Sequence, residues 1–418
     1  MRGVNVSASV NRVVIVGAGQ AGAQTSISLR LMGYEGQIVV IGDEPAPPYQ
    51  RPPLSKGYLK GELSEDRLYL KPESYYSESN VDLRLSTRAT RLDSQAKTLE
   101  LEDGQKLDWD ALVLATGARP RRLAVSGAKL EGVLELRTLG DVDQLKPYAR
   151  EGVRAVVIGA GYIGLEAAAV LSYMGGNVTV LEAAPQVLGR VTGPEVAQFI
   201  VSRHQKSGVE IRVDAKLEGF VGSDKLEGVQ LAGGEVLPCD VALVGVGVLP
   251  NIELAEEAGI ACGNGIIVDE WMKTRAPDVY AIGDVALRPL QHYKREGRLE
   301  SVHNAIEGGK IAAAAILGKD MPTIDVPWFW SDQYEIKLQT AGLWTGADTR
   351  VLRGDPETGK FAVYYLKDGV IIAVDAVSSP PDFIVGKKLV AAHATVAPDV
   401  LRDTSRSIKE ISAAALGG

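Results

Sequence analysis

Two stretches of the chain carry the same pattern of apolar and polar positions. Residues 12–45 read RVVIVGAGQAGAQTSISLRLMGYEGQIVVIGDEP, and residues 154–185 read RAVVIGAGYIGLEAAAVLSYMGGNVTVLEAAP. Each passes from an apolar strand through a glycine turn into a helix, turns again at glycine, and ends in a second apolar strand closed by an acidic residue. Continuous apolar runs bounded by glycine predict strands buried on both faces of a parallel sheet. A module that occurs twice is the strongest organisational signal in the chain.

Three further apolar runs end in or beside a glycine: Leu112–Gly117, Val241–Gly247 and Val279–Asp284. The first follows the first module and the second follows the second, so each can close its own sheet. The third comes after the second module and suggests a return of the chain to the first domain. Beyond Pro327 the pattern changes to short strand-like runs (Thr349–Arg353, Phe361–Leu366, Val370–Val374) before a helix-like Asp382–His393. The fold class expected is α/β, with two Rossmann-like parallel-sheet nucleotide-binding domains and a C-terminal α+β domain. The boundaries expected are 1–124 and 251–327 for the two segments of the first nucleotide-binding domain, 125–250 for the second and 328–418 for the last domain.

Composition narrows the chemistry. The formal charge is −8, which argues against a general nucleic-acid binder. The 46 glycines in 418 residues exceed ordinary usage of about 7% and concentrate in the motifs. Two cysteines, Cys239 and Cys262, rule out a disulfide framework or a cysteine metal cage, and four scattered histidines argue against a histidine metal site. Met1–Asn11 contain no apolar signal core, and the longest apolar stretches are too short to span a bilayer. A soluble, cytoplasmic protein is expected.

In the first module Gly17, Gly19 and Gly22 follow a strand and open a helix, and Asp43 closes the next strand about 20 residues on. Gly17 makes the turn, Gly19 lets backbone approach a pyrophosphate, and Gly22 lets the helix pack closely, with the helix N-terminus facing the phosphates. Gly159, Gly161, Gly164 and Glu182 repeat this logic. Glu182 is followed by Ala183, Ala184 and Pro185, so no adjacent cation is available for a 2′-phosphate, which favours NAD over NADP. Two dinucleotide sites on one chain suggest a donor and an acceptor, most simply NADH and a flavin.

Other segments read two ways on residues alone. In Tyr49–Lys56 (YQRPPLSK), Arg51 and Lys56 either place positive charge near a cofactor or belong to a solvated loop. The tryptophans of Pro327–Tyr334 (PWFWSDQY) are core or function, and His303 is structural or functional. Cys239 and Cys262 read as buried hydrophobes. Flavin disulfide reductases keep a redox cysteine pair in the first domain; this chain has none there, so electrons have to leave a flavin directly.

Together these motifs resemble the putidaredoxin-reductase family of NADH-dependent ferredoxin reductases, on the glutathione-reductase fold, from about Arg12 to about Ile411. The pieces are GAGQAG, RPPLSK, VLATGARPR, LRTL, IGAGYIGLE, AIGDVA and PWFWSDQYE, of which RPPLSK with PWFWSD discriminates best. The resemblance implies FAD held by Gly17, Gly19, Ala21, Gly22, Asp43, Arg51, Lys56, Ala89, Arg137, Asp284 and Val302. It implies NAD held by Gly159, Gly161, Ile163, Gly164, Glu166, Glu182, Arg190 and Gly247. Lys56 paired with Glu166 would lie on the nicotinamide face, Trp330 towards the acceptor, and Lys310 at the docking face. Weaker docking candidates are Lys294, Arg295, Arg298, Lys387 and Lys388. His303 departs from the small or neutral residues expected there, and the first ten residues, without counterpart, are expected as a disordered arm.

The resulting expectation is hydride transfer from NADH to FAD, then single electrons to a 2Fe–2S ferredoxin that feeds a haem-thiolate monooxygenase or an aromatic-ring dioxygenase. No metal, nucleic acid or membrane partner is expected. The alternative from another class is a flavoprotein resembling apoptosis-inducing factors, acting through NADH-driven conformational switching.

Overall fold

A computed structural model describes residues 10–417, and nine of the ten residues expected as an arm lie outside the described residues. The chain forms two compact units. The first comprises residues up to Gln50, Asp66–Arg119 and Leu249–Ile324; the second comprises Arg51–Glu65, Pro120–Val248 and the residues from Asp325 onward.

In the first unit the strand Arg12–Val16 pairs in parallel with Gln37–Ile41 on one side and Ala111–Leu114 on the other. Val81–Arg84 extends one edge and Val279–Ala281 the other, so the strand read after the second module does join the first sheet. Val13, Val14, Ile15 and Leu112 are fully buried, as a sheet covered on both faces requires. The helix Gln20–Leu31 packs against Val302–Ile316 through glycine: a Cβ on Gly309 would lie 3.0 Å from Gln24 Cβ and 3.1 Å from the Ala21 carbonyl. A side chain there would push these neighbours back by a few tenths of an ångström, so glycine suits the close approach.

The second unit repeats the parallel sheet, in the order Glu210–Arg212, Asn177–Leu181, Arg154–Ile158, Val241–Val244, Val133–Leu134. It also holds the five-stranded antiparallel sheet of the C-terminal part, in the order Trp328–Gln333, Ile336–Gly342, Val370–Val377, Lys360–Lys367, Thr349–Asp355. The helix Pro380–Ala391 follows.

Three differences from the sequence reading have physical causes. The glycine-ended strands stop early, at Leu114, Val244 and Ala281, because Gly117 (φ +66°), Gly247 (φ +100°) and Gly283 (φ +72°) adopt left-handed backbone that cannot continue a strand. The C-terminal sheet has two more strands than expected, since the run Trp328–Gln333, read only as core or function, lacks an apolar–polar alternation and Ile336–Gly342 mixes polar with apolar positions. The helix expected from Asp382 begins at Pro380, because proline is tolerated in a first turn whose N–H groups have no helical partner, and two further helices, Pro398–Arg402 and Ile408–Leu416, follow it.

Candidate functional site

The first unit builds its glycine turn from tight backbone contacts. Gly17 has φ +117°, and a Cβ there would fall 2.1 Å from the Ala115 carbonyl oxygen; one on Gly22 would fall 1.9 Å from the Gly17 carbonyl oxygen. At Gly19 a Cβ would meet nothing within 4 Å. Gly19 caps the helix with no side-chain hydrogen bond, which leaves the first amides and the positive dipole end to an incoming anion. Such a cradle fits a dinucleotide pyrophosphate. Ala21 lies in the first turn of this helix, and Ala89 opens the strand Ala89–Asp93. Asp43 is exposed and pairs with Arg88 at 3.2 Å.

Asp284 lies in the short turn Gly283–Val285, which neighbouring side chains hold by its backbone. Arg298 Nη1 donates to the Asp284 carbonyl at 2.9 Å, and Asn304 Nδ2 donates to the Gly283 carbonyl at 3.2 Å. Asn304 Oδ1 accepts from Arg288 at 3.2 Å, and Arg288 also pairs with Glu307 at 2.7 Å. Val302 and His303 open the helix that Ser301 caps, and both are half-buried. Lys310 is exposed on the same helix. Arg298 is removed from the docking candidates: its side chain is 8% exposed and pairs with Glu300 at 2.6 Å.

The second unit repeats the cradle. A Cβ on Gly159 would come 2.4 Å from the Gly245 carbonyl oxygen, one on Gly164 would come 2.2 Å from the Gly159 carbonyl oxygen, and Gly161 again faces open space. Glu182 is turned back onto this loop: Oε2 accepts from the Ala160 amide at 2.8 Å and Oε1 from the Ala184 amide at 2.9 Å. Each carboxylate oxygen keeps a lone pair for ribose hydroxyls. Ile163 is exposed in the first turn of the helix Tyr162–Tyr173, Arg190 is exposed in the turn ahead of the helix Pro194–Lys206, and Gly247 accepts from the Arg121 amide at 2.9 Å. Arg51 donates to the Arg137 carbonyl at 2.5 Å, so these two expected positions meet within the unit.

Lys56 and Glu166 meet as well, with Lys56 Nζ 2.7 Å from Glu166 Oε2. The short turn Pro52–Ser55, pre-set by paired prolines, delivers the lysine, while Glu166 comes from the helix Tyr162–Tyr173. Glu166 is 4% exposed, and burial pushes its carboxyl above the ordinary range, opposed by Lys56, Ser331 and Ser55. Ser55 Oγ donates to Oε2 and Ser331 Oγ to Oε1, both at 2.6 Å. Neither serine was assigned a role from the sequence, although both lie inside the quoted motifs. Trp330, adjacent to Ser331, points by strand alternation to the other face, tilted against Trp328 at 5.5 Å. Phe329 stacks on Tyr162 at 4.5 Å.

The hydrogen bonds that hold Lys56 and Glu166 involve no thiol. Cys239 is buried, and desolvation pushes its thiol up to about 12; Cys262 is only partly buried, contrary to expectation, and burial raises its thiol as well. A thiol with a raised pKa holds little of the nucleophilic thiolate.

Comparison with known proteins agrees with this geometry. Residues 11–309 match the family described as pyridine nucleotide-disulphide oxidoreductase, and residues 328–412 match a reductase C-terminal domain. Putidaredoxin reductase CamA of Pseudomonas putida is 42% identical over 97% of this chain and 97% of its own length. The chain belongs to the putidaredoxin-reductase family. Another member, the ferredoxin–NAD(+) reductase subunit of a benzene 1,2-dioxygenase system from Pseudomonas putida, is 37% identical over 96% of this chain and 97% of that protein. A crystal structure of the covalent putidaredoxin reductase–putidaredoxin complex matches with a TM-score of 0.95 at 40% identity, covering 98% of this chain and 99% of that one. Like that family, the chain uses FAD and NAD(H).

Proposed function

We propose that this protein is an NADH-dependent ferredoxin reductase whose 2Fe–2S partner serves a haem-thiolate monooxygenase or an aromatic-ring dioxygenase. The observation that carries this reading is a pair of dinucleotide cradles on one chain without a redox thiol pair. Flavin, when bound, takes electrons in a pair and releases them singly, which joins a nicotinamide to a one-electron acceptor. Gly17, Gly19, Ala21, Gly22, Asp43, Ala89, Asp284 and Val302, with Arg51 and Arg137, are assigned to FAD; Gly159, Gly161, Ile163, Gly164, Glu182, Arg190 and Gly247 are assigned to NADH. Lys56 and Glu166 are assigned to orienting the nicotinamide, and Trp330 to the acceptor side. Functionally we divide the chain into FAD segments 1–124 and 251–327, an NAD domain 125–250 and a C-terminal domain 328–418. The cytoplasm, where NADH is supplied, is the compartment that follows from this reading; among the described residues no helix is long and apolar enough to cross a membrane.

Coenzyme choice follows from Glu182. Its carboxylate, fixed by two backbone amides, suits ribose hydroxyls and repels a 2′-phosphate. NADH should exceed NADPH in kcat/KM by about tenfold or more, the scale of one close like-charge contact. Glu182→Ala with an arginine at Ala183 should narrow that gap, and equal wild-type efficiencies with the two coenzymes would contradict the assignment.

The ferredoxin experiment uses charge. Small ferredoxins of this type are acidic and this chain carries −8, so fast docking needs a local cation that acts within the Debye length of about 8–10 Å. Exposed Lys310 is that cation on this reading, with Lys294, Arg295 and Lys388 also exposed. Lys387 is already committed to Asp325 and lies over the Trp328 ring. Redox encounters use small interfaces, below about 1,200 Å², where a single charge counts. Lys310→Glu should raise the apparent ferredoxin KM and flatten its dependence on ionic strength. Wild-type ferredoxin kinetics across ionic strength in this variant would move the docking face elsewhere.

A further inference from the structure

The interior of the second unit is polar over a longer path than the Lys56–Glu166 pair needs. Ser331 is 1% exposed, Gln333 2% and His204 0%. They form one line: Ser331 Oγ lies 2.6 Å from Glu166 Oε1, Gln333 Nε2 lies 3.1 Å from Ser331 Oγ, and His204 Nε2 lies 2.9 Å from Gln333 Oε1. The Tyr334 hydroxyl completes it, 3.4 Å from His204 Nδ1. Ser331 and Gln333, two apart on the strand Trp328–Gln333, face the same side, and the helix Pro194–Lys206 brings His204 to them. Close-packed interiors favour apolar side chains, and buried polar groups persist where every partner is supplied.

The carboxylate sets each proton in this line. An ionised Glu166 only accepts, so Ser331 gives it its one hydroxyl proton. Ser331 Oγ then accepts from the Gln333 amide nitrogen, which turns the amide oxygen towards His204. That oxygen also only accepts, so His204 carries its proton on Nε2 and leaves Nδ1 to accept from Tyr334. Burial holds this imidazole below its ordinary range, in the neutral form such a chain needs. All the donors run one way, towards Glu166.

We propose that Gln333 and His204 are positioning residues: acting through Ser331, they hold Glu166 as the carboxylate that fixes the Lys56 ammonium, resting on the assignment of that pair to the nicotinamide. The other titratable groups facing the line are Lys56, Tyr162 on the helix of Glu166, and the Arg203–Glu335 pair beside His204 and Tyr334. None of these groups donates to Ser331, Gln333 or His204 Nε2 through the contacts that make up the line.

The test has a spectroscopic and a kinetic arm. In holoprotein labelled with 15N-histidine there are four histidines, and His204 is identified by its loss in His204→Gln. Its nitrogen shifts should be those of neutral imidazole protonated on Nε2; an Nδ1–H tautomer or an imidazolium at neutral pH overturns the proposal. Gln333→Met keeps the volume and removes the donor. It should slow flavin reduction by NADH by up to roughly tenfold at neutral pH, the worth of one neutral hydrogen bond, with NADH affinity retained. The acid limb of its pH profile should move to higher pH, because Glu166 then protonates more readily. His204→Gln, which keeps a donor towards Gln333, should recover most of what His204→Leu loses. A rate loss in Lys56→Met with wild-type profiles in Gln333→Met and His204→Leu overturns this inference alone. Wild-type rates in Lys56→Met as well overturn the nicotinamide assignment of the pair with it.

Discussion

Replacing Lys56 with methionine should slow flavin reduction by NADH by about 100-fold and destabilise the fold by ~3–5 kcal/mol, the range for breaking one side of a buried ion pair. The cause is asymmetric. Lys56 is 19% exposed and can recover some hydration, but Glu166 at 4% cannot. Glu166→Gln should therefore cost less stability than Lys56→Met while slowing the reaction comparably, and the two changes should be non-additive in a double-mutant cycle. The pH dependence of Lys56→Met follows from Glu166, whose carboxyl burial already raises. Without its cation the native pKa rises further above the unfolded value of about 4.3, so the native state binds more protons and stability falls as pH rises through that window. Denaturation midpoints of this variant should be higher near pH 5 than near pH 8. Additive mutants with a flat pH dependence would mean that the two residues do not act as a pair.

The second large effect separates folding from cofactor binding. Gly19→Val should fold and yet purify largely without flavin, losing FAD affinity at least tenfold, or about 1.4 kcal/mol. A Cβ at Gly19 would meet no atom of another part of the chain within 4 Å, so a side chain there should cost the fold little while filling the space beside the exposed helix amides. Gly22→Val is the contrast: its Cβ would overlap the Gly17 carbonyl oxygen at 1.9 Å, so the protein itself should be destabilised. Thermal shift with added FAD distinguishes them, since a ligand raises Tm only where it binds the native state. Wild type should shift and Gly19→Val should not. In the second unit Gly161→Val, equally open, should keep its flavin and weaken NADH. A flavin-replete Gly19→Val would place the pyrophosphate elsewhere.

What could be read from the sequence was whatever lies close along the chain. Gly17, Gly19 and Gly22 were legible as one spaced pattern between a strand and a helix, whereas the Ala115 carbonyl that crowds Gly17 lies far along the chain and no local pattern announces it. The parallel strands were legible because a sheet buried on both faces tolerates only apolar residues. Strand ends were less legible, since Gly117, Gly247 and Gly283 close their strands through backbone angles that composition does not reveal. Within the candidate site the Lys56–Glu166 pair followed from a family resemblance, and spacing alone left Lys56 ambiguous.

The polar line beyond the pair was not legible at all. Ser55 is 111 residues from Glu166, Ser331 is 165 residues away, and Gln333 is 129 residues from His204. Serine, glutamine and histidine on three elements show no periodicity that separates a satisfied interior from a solvated surface. Thr192, Asp375 and Tyr365 make the same point. The Tyr365 hydroxyl donates to Asp375 at 2.6 Å and accepts from the Gly193 amide at 2.9 Å, while burial pushes the Asp375 carboxyl up to about 7. In the sequence Asp375 is one acid in an apolar strand.

The central claim is that electrons pass from NADH to a 2Fe–2S ferredoxin through one flavin and no thiol. An anaerobic stopped-flow experiment tests it directly, mixing the flavin-loaded protein with NADH and then with an oxidised 2Fe–2S ferredoxin while following both chromophores, in wild type and in Cys239→Ala/Cys262→Ala. The account predicts flavin bleaching by NADH, its recovery matched by ferredoxin reduction at two ferredoxins per NADH, and nearly equal rates in the cysteine-free protein. Rapid bleaching that persists with the ferredoxin still oxidised would contradict it and favour a protein that NADH switches in conformation rather than one that passes electrons on.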